Sequence, residues 1–522
     1  MRLPWRRMLG AAVLCAALPR VAAQPDPVAL YGQHCAACHG AQRTGGMGPA
    51  LLPESLERLR RPETLQVIEK GRVATQMPGF AGTLDAAQIA AVAQWIHTPV
   101  VPAPKWDEAD IRASRTADAA AATWPATPKW SADPMNLFVV VEGGDHHVSL
   151  VDGDRFERLH RFPSRFALHG GPKFTPDGRY VFFGSRDGWI TKYDLWNLAV
   201  VAEVRAGLNM RNVAVSGDGR WVMAANYLPH TLALFDAELN LVKTYAAATL
   251  DGKASSRVSA VYDAAPRRSF VVALKDIAEL WEIPYDPKAE PIFDGYVHDY
   301  KMGEGIAKPG FLGVRRTLLD EPLDDFFFDQ RYRHALGATR ARSDGRPSAQ
   351  VVNLDIRRKI ADLLIAGMPH LGSGITFAWN GTTVLASPNL KDGAIDVIDM
   401  KTWKPVKTVP TPGPGFFMRS HENTPYAWVD SMMSTTGRDT LTIVDKRTLE
   451  PVAAVREPGR TLAHIEFTKD GRHALASLWE MDGALIVYDA QTFREVKRLP
   501  MRKPVGKYNV WNKITRSEGT SH

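Results

Sequence analysis

Cysteine is scarce in this chain: three in 522 residues, one of them, Cys15, close to the start. No disulfide framework can therefore hold the fold together. Long hydrophobic runs are missing too. Past the first 23 residues, no stretch is apolar enough to cross a bilayer, which takes about 20 residues. Net charge is also modest. The formal value is +7, and residues 1–23 contribute Arg2, Arg6, Arg7 and Arg20 with no acid, so losing those four charges leaves +3. That is no nucleic-acid footprint. What remains is ordinary globular material, 45% hydrophobic. It is too long for one small core, so two or more domains are expected.

The start reads as a signal peptide covering 1–23. Arg2, Arg6 and Arg7 form its basic end, Met8 to Leu18 its short apolar stretch, and Val21-Ala22-Ala23 a small-residue cleavage site. Leu14 is too bulky to precede a lipidated Cys15. A soluble, exported and periplasmic protein with no membrane span is expected.

The two remaining cysteines stand together in Cys35-Ala36-Ala37-Cys38-His39. C-x-x-C-H attaches c-type haem: two thioethers hold the porphyrin, and the adjacent histidine reaches the iron. The bland alternative is a disulfide or a chance match. Met77, in Gln76-Met77-Pro78-Gly79-Phe80, offers a thioether as sixth ligand, with Met47 a weaker candidate and His34 a histidine alternative. Residues 24–98 are expected to form an all-α cytochrome c domain. Its first helix would run from Pro27 to Cys38. Its last, capped by Thr83, would run from Leu84 to about His97, with Leu84, Ile89, Val92, Ala93 and Ile96 facing inward. Residues 99–134, rich in proline and alanine, read as a semi-rigid linker rather than a core.

From 135 to 522 the texture becomes repetitive. β-rich runs end in Asp152, Asp194, Asp236, Asp355, Asp399, Asp445 and Asp489, with Glu282 a poorer eighth. Their spacings are 42, 42, 46, 73, 44, 46 and 44. A second unit alternates with them: Pro176-Asp-Gly-Arg-Tyr180, Gly217-Asp-Gly-Arg-Trp221 and Lys469-Asp-Gly-Arg-His473, each a tight turn between strands. This period predicts an all-β propeller of eight four-stranded blades, with the long spacing explained by an insertion near 286–321. A β-sandwich array is the rival reading.

Four histidines stand out at loops expected just before the inner strands of four blades: His169, His370, His421 and His464. Together they could bind a metal, or one could bind iron while the others handle protons. Singly, each could be a structural, hydrogen-bonded histidine. Gly170, Gly171, Gly372 and Gly374 would leave room for a flat ligand. Arg165, Arg186, Arg211, Arg257 and Arg419 gather at the same positions and offer forks for carboxylates, unless they are merely solvated. An iron-binding histidine among arginines suits a polycarboxylate tetrapyrrole.

A haem c domain joined to such a propeller resembles the cytochrome cd1 nitrite reductase family. The resemblance rests on Glu142-Gly-Gly-Asp-His-His147, Arg165-Phe-Ala-Leu-His-Gly-Gly-Pro-Lys-Phe174, Lys192-Tyr-Asp-Leu-Trp-Asn197, Gly415-Phe-Phe-Met-Arg-Ser-His421, Gly506-Lys-Tyr-Asn-Val-Trp-Asn512 and Glu518-Gly-Thr-Ser-His522. These phrases are most similar to the biosynthetic branch, the dihydro-haem d1 dehydrogenases. The resemblance implies covalent haem c at Cys35 and Cys38, and a propeller that holds dihydro-haem d1 or haem d1 non-covalently. It makes His169 the proximal iron ligand. It matches His370 and His421 to the distal pair that the reductases use to protonate nitrite. His464 and Tyr508 match residues of the dehydrogenase chemistry, where the reductase pattern has Phe in place of Tyr508. The implied activity is desaturation of a propionate to an acrylate, with electrons passed through haem c and His464 or Tyr508 taking a proton. A small periplasmic c-type cytochrome as acceptor and nitrite reductase as recipient of haem d1 are the implied partners. Nitrite reduction, or delivery of haem d1 without catalysis, would use the same pocket.

Overall fold

The computed structural model describes residues 25–46, 48–56, 59, 61–72, 77–102, 104–293, 307–339 and 349–515. The expected signal peptide, Met47, the Glu518–His522 phrase and the middle of the expected insertion lie outside the described residues. No helix among the described residues is long and apolar enough to cross a membrane.

The N-terminal unit is helical. Asp26 caps Pro27–His34 through the backbone N–H groups of Val28 and Ala29. The chain breaks step at Cys35 and resumes as the single turn Ala36–His39, so the expected first helix is two. The last helix is Ala86–Ile96, and its cap is Asp85 rather than Thr83. Asp85 and Gln88 form a reciprocal capping box that a threonine two residues earlier cannot reach. Ile89, Val92, Ala93 and Ile96 are buried as their spacing predicted, and Trp95 meets Tyr31 of the first helix at 5.0 Å.

Residues 104–136 do more than connect. Asp107 caps Glu108–Ser114, whose Ile111 is buried among the outer strands of two blades. Burying one such side chain is worth about 1.5–3 kcal/mol. Thr116–Ala117 then pairs antiparallel with Ala199–Arg205 as a fifth strand. Proline content hid these contacts, because neither element is longer than seven residues.

The rest is an eight-bladed propeller: eight antiparallel sheets ring a central channel. Blade 1 is closed by both ends of the domain, with the C-terminal strand Pro504–Asn509 pairing as its inner strand against Leu137–Glu142. Blades 2 to 8 begin with inner strands Lys173–Phe174, Asn209–Val215, Val258–Ala264, Asp325–Phe328, Ile375–Trp379, Met418–Arg419 and Leu462–Phe467. The repeated acids have a local cause. Asp152, Asp194, Asp236, Asp399 and Asp489 each accept backbone N–H bonds from residues two to four further on, closing the turn into the outer strand. In blade 5 this work is done by Asn353, not Asp355. In the Asp-Gly-Arg turns, Asp177, Asp218 and Asp470 bond the hydroxyls of Thr175, Ser216 and Thr468 and the following arginine N–H. Gly178, Gly219 and Gly471 have φ of +70°, +72° and +74°, a region that side chains disfavour. All three turns sit where an inner strand ends, so they mark the rim opposite the His169 loop.

Candidate functional site

His169 lies at the channel wall on the loop entering blade 2. Its backbone N–H bonds Gly184, and its Nδ1–H donates to the Arg211 carbonyl at 2.7 Å. That fixes the tautomer and turns Nε2 toward the channel. Arg186 meets Nε2 at 2.9 Å and Arg211 at 3.1 Å. Burial, then the two guanidiniums, hold the imidazole well below its ordinary pKa, so it is neutral and keeps a lone pair. Arg211 reaches this spot because it is the bulged residue between Met210 and Asn212.

His370 holds the corresponding place in blade 6. Its N–H bonds Pro388, its Nδ1–H donates to Phe416 at 2.7 Å, and its ring packs on Phe416 at 4.0 Å. Nε2 is 4.0 Å from Asp325, which also accepts from the Tyr262 hydroxyl at 2.8 Å. Burial keeps His370 neutral against the pull of Asp325.

Arg419 is 3% exposed and projects from the blade 7 inner strand. It donates to Met418 and Ser373, but its Nε is buried without a partner. A buried guanidinium with an unused N–H is suited to a carboxylate. Its charge is felt by His370, His464 and Tyr508, so these four share one part of the channel.

His464 is a bulged residue of the blade 8 inner strand with φ +50°. Its N–H donates to Asp430 at 3.2 Å, and its ring packs on Phe417 at 4.5 Å and Tyr508 at 5.1 Å. Lys507 Nζ bonds the His464 carbonyl and lies 3.4 Å from Nδ1. Burial, then Lys507, lowers the His464 pKa far below the ordinary value. Tyr508 stands on the blade 1 closing strand, and burial pushes its phenol up to about 12. A Cβ on Gly171 would lie 3.0 Å from the Tyr508 ring, which puts this tyrosine against the His169 loop.

Of the expected residues, His421 lies elsewhere, and two arginines are already ion-paired. His421 follows its inner strand rather than preceding it. It is fully buried, accepts from Asn423 N–H, and presses on Gly471 in the opposite-rim turn. The short blade 7 strand, Met418–Arg419, puts Phe417 and Arg419 at the channel and carries His421 past it. Arg165 is forked onto Glu203 and stacked on Trp189 at 3.8 Å. Arg257 is forked onto Asp276. Among the described residues no group of three or more His, Cys, Asp or Glu side chains could hold a metal ion. The glycines serve the protein's own packing as well: side chains at Gly170, Gly372 and Gly374 would collide with Asn212, Asp325 and Leu385. Sequence reasoning missed Asp325, Asp430, Tyr262 and Lys507. Lys507 sat within a quoted phrase, whereas Asp325 and Asp430 had no local signal, because only tertiary pairing brings them to the histidines.

The haem motif fits its cofactor. Cys35 and Cys38 are free thiols beside His39. His39 Nδ1–H donates to Pro49 at 2.8 Å, leaving Nε2 as a ligand. A side chain at Gly48 would fall 2.7 Å from the His39 ring. The two units touch close to both sites. Thr44, in the loop after His39, accepts from Arg205 at 3.2 Å, and Ser55 meets Asn209 at 3.4 Å. Arg205 also bonds the carbonyl of Asp187, the neighbour of Arg186. A continuous chain of contacts thus runs from the haem loop to His169.

Comparison with known proteins agrees with both halves. The family model described as Cytochrome D1 heme domain matches residues 132–294 and 310–513. Cytochrome C oxidase, cbb3-type, subunit III matches residues 22–96. Dihydro-heme d1 dehydrogenase of Pseudomonas aeruginosa is 53% identical over 99% of this chain and 100% of its own length. The solved structure of dihydro-heme d1 dehydrogenase NirN in complex with DHE superposes with a TM-score of 0.81 at 53% identity, covering 94% of this chain and 100% of that one. Nitrite reductase of Stutzerimonas stutzeri is more distant, 25% identical over 97% of this chain and 96% of its own. A haem c domain docked on an eight-bladed channel, and a relative matched along its entire length, lead to one conclusion: the chain belongs to the dihydro-haem d1 dehydrogenase family.

Proposed function

We propose that this chain oxidises dihydro-haem d1 to haem d1 in the channel between His169 and Tyr508, desaturating a propionate side chain to an acrylate. The observation that carries the proposal is the cluster itself: a neutral imidazole with Nε2 turned inward, three arginines, and an imidazole–phenol pair in one channel. His169 Nε2 binds the substrate iron once Arg186 and Arg211 release it. Those two guanidiniums, with Arg419, then take the substrate carboxylates and hold the side chain in register.

Burial drives Lys507 and His464 toward their neutral forms. The Nδ1–H of His464 then donates to the Lys507 amine, the amine donates to the His464 carbonyl, and Nε2 keeps a lone pair. His464 is therefore the base that takes the proton from the side-chain carbon. Tyr508, with its phenol pushed up to about 12, is a hydrogen-bond donor at neutral pH and relays protons. When bound at Cys35, Cys38 and His39, haem c supplies the one-electron acceptor through which the substrate's two electrons leave. The Met77 thioether, as a ligand of the haem c iron, would raise its potential. Met77→Ala is accordingly expected to lower the haem c potential and slow its reduction, measured by redox titration. An unchanged potential would remove Met77 as the ligand.

A periplasmic location, a small c-type cytochrome as final acceptor and nitrite reductase as recipient of the product complete the reading. The leader's charge pattern and the resemblance to the cytochrome cd1 family support them. Holoprotein mixed with dihydro-haem d1 and an electron acceptor should produce haem d1, read from the visible spectrum. Unchanged pigment would defeat the proposal, and steady nitric oxide formation from nitrite would favour a reductase instead.

A further inference from the structure

The channel has a second open end. A cavity of about 660 Å³ lies on the rim opposite His169, among the turn residues Pro176 and Gly217 and the C-terminal helix Val510–Thr515. Its size is that of a ligand pocket or a well-hydrated vestibule. Its inner end reaches two side chains that the chemistry above leaves unused, Lys173 and Lys513. Lys513 Nζ lies 5.5 Å from the centre of the Tyr508 ring, and Lys173 Nζ 5.8 Å from that of Tyr262. Lys513 thus stands over the Tyr508 ring and lines the cavity.

The charged groups around Lys513 come from three blades: Lys173 of blade 2, Arg419 of blade 7 and Glu466 of blade 8, with the Tyr508 ring of blade 1 beneath it. Asp325 of blade 5 faces Lys173. Glu466 is held by Asn512, the neighbour of Lys513, and its second oxygen is buried without a partner. Burial, reinforced by Arg419, brings Lys513 down to about 7, and burial brings Lys173 to about 8. An ordinary lysine keeps its proton up to about pH 10.4. These two therefore exchange protons near neutrality.

Desaturating CH2–CH2 to CH=CH removes two electrons and two protons. The electrons leave at the His169 rim, where the haem c unit docks. A flat tetrapyrrole bound there covers the same rim. We propose that Lys513, assisted by Lys173, is a proton outlet from His464 and Tyr508 to the cavity at the opposite rim, so that electrons and protons leave the channel by opposite ends. This rests on the dehydrogenase reading above. Each of the two protons passes in turn from His464 through the Tyr508 hydroxyl to the neutral Lys513 amine. The resulting ammonium gives it to water in the cavity and the amine is restored. No electron moves in this step.

The test uses full-length holoprotein with Lys513→Ala and Lys513→Arg, measuring tetrapyrrole binding and single-turnover conversion on the same samples. Binding and the haem c spectrum should be unchanged. Conversion should slow about 10²-fold, the lower range of acid–base help. Added methylamine should restore the alanine variant in proportion to its free-base concentration. Arginine should stay slow, because a guanidinium keeps its proton beyond about pH 12. Wild-type speed in Lys513→Ala, full speed in Lys513→Arg, failure of methylamine to rescue, or lost binding would each overturn the outlet. Should Lys513→Ala not fold, Lys513→Met keeps the stem's packing and faces the same criteria. Wild-type protein that converts no substrate would instead remove the dehydrogenase reading.

Discussion

His169→Ala is expected to abolish tight tetrapyrrole binding while leaving the haem c spectrum intact. The imidazole is placed for one task. Its Nδ1–H is spent on the Arg211 carbonyl, and only Nε2 faces the channel. Burial keeps it neutral, so its lone pair is available even in mild acid, where a free imidazole would be protonated. Without substrate, Arg186 satisfies that lone pair, and Arg211 lies 3.0 and 3.1 Å from the two ring nitrogens. In the proposed complex, iron and carboxylates exchange partners with them. Alanine removes the iron bond and leaves two guanidiniums crowded together with nothing between them. Changing a group that merely orients a ligand costs roughly 10–100-fold in metal affinity. Removing the ligand itself should cost more than about 10²-fold, read by absorbance titration. Cys35, Cys38 and His39 are in the other unit, so the haem c spectrum should not change. Undiminished binding would take the iron ligand away from His169 and pass that role to His370.

Tyr508→Phe is expected to reduce turnover by about 10²–10⁴, the usual worth of a positioned proton donor or acceptor, with binding nearly unchanged. The bland reading is a ring packed in the closing strand, whose loss of one oxygen would go unnoticed. The ring does pack on the blade core, but it also meets the His464 ring at 5.1 Å. Tyr508 is on the channel side of the blade 1 inner strand, between Gly171 of the His169 loop and Lys513 at the cavity. Its hydroxyl also crowds Gly506, where a Cβ would fall 2.7 Å away. Desolvation makes the phenol a firm donor rather than a base, which is why the proposal gives the proton abstraction to His464. The measurement is single-turnover conversion beside a binding titration. Wild-type turnover would return Tyr508 to the core. Lost binding with intact chemistry would make it a pocket wall.

The repeats were legible because each blade solves the same local problem. A tight turn needs an acid to collect N–H groups and a glycine at positive φ, and those residues recur whatever the blade does. The haem motif was legible because its ligands are adjacent in the chain. The channel was only half legible. His169 and His370 occupy equivalent loops, which a periodic pattern can reveal. His464 and Arg211 reach the axis from β-bulges, and a bulge adds one residue without leaving a signature in the spacing. His421 misled because it comes after its inner strand, Met418–Arg419, and packs against Gly471 in the far-rim turn. Arg165 and Arg257 are claimed by Glu203 and Asp276, 38 and 19 residues away, which their position did not show. Charge at the right blade position does not show which partner the charge faces.

The central claim is that one channel couples desaturation to the docked haem c. The most direct test is anaerobic mixing of ferric holoprotein with one equivalent of ferric dihydro-haem d1 and no added acceptor, so that one electron goes to haem c and one to the tetrapyrrole's own ferric iron, following both pigments together. Haem c reduction should rise with the haem d1 band at one rate, and Tyr508→Phe should slow both equally. Haem d1 formed while haem c stays oxidised, or haem c reduced with no change in the tetrapyrrole, would contradict the account.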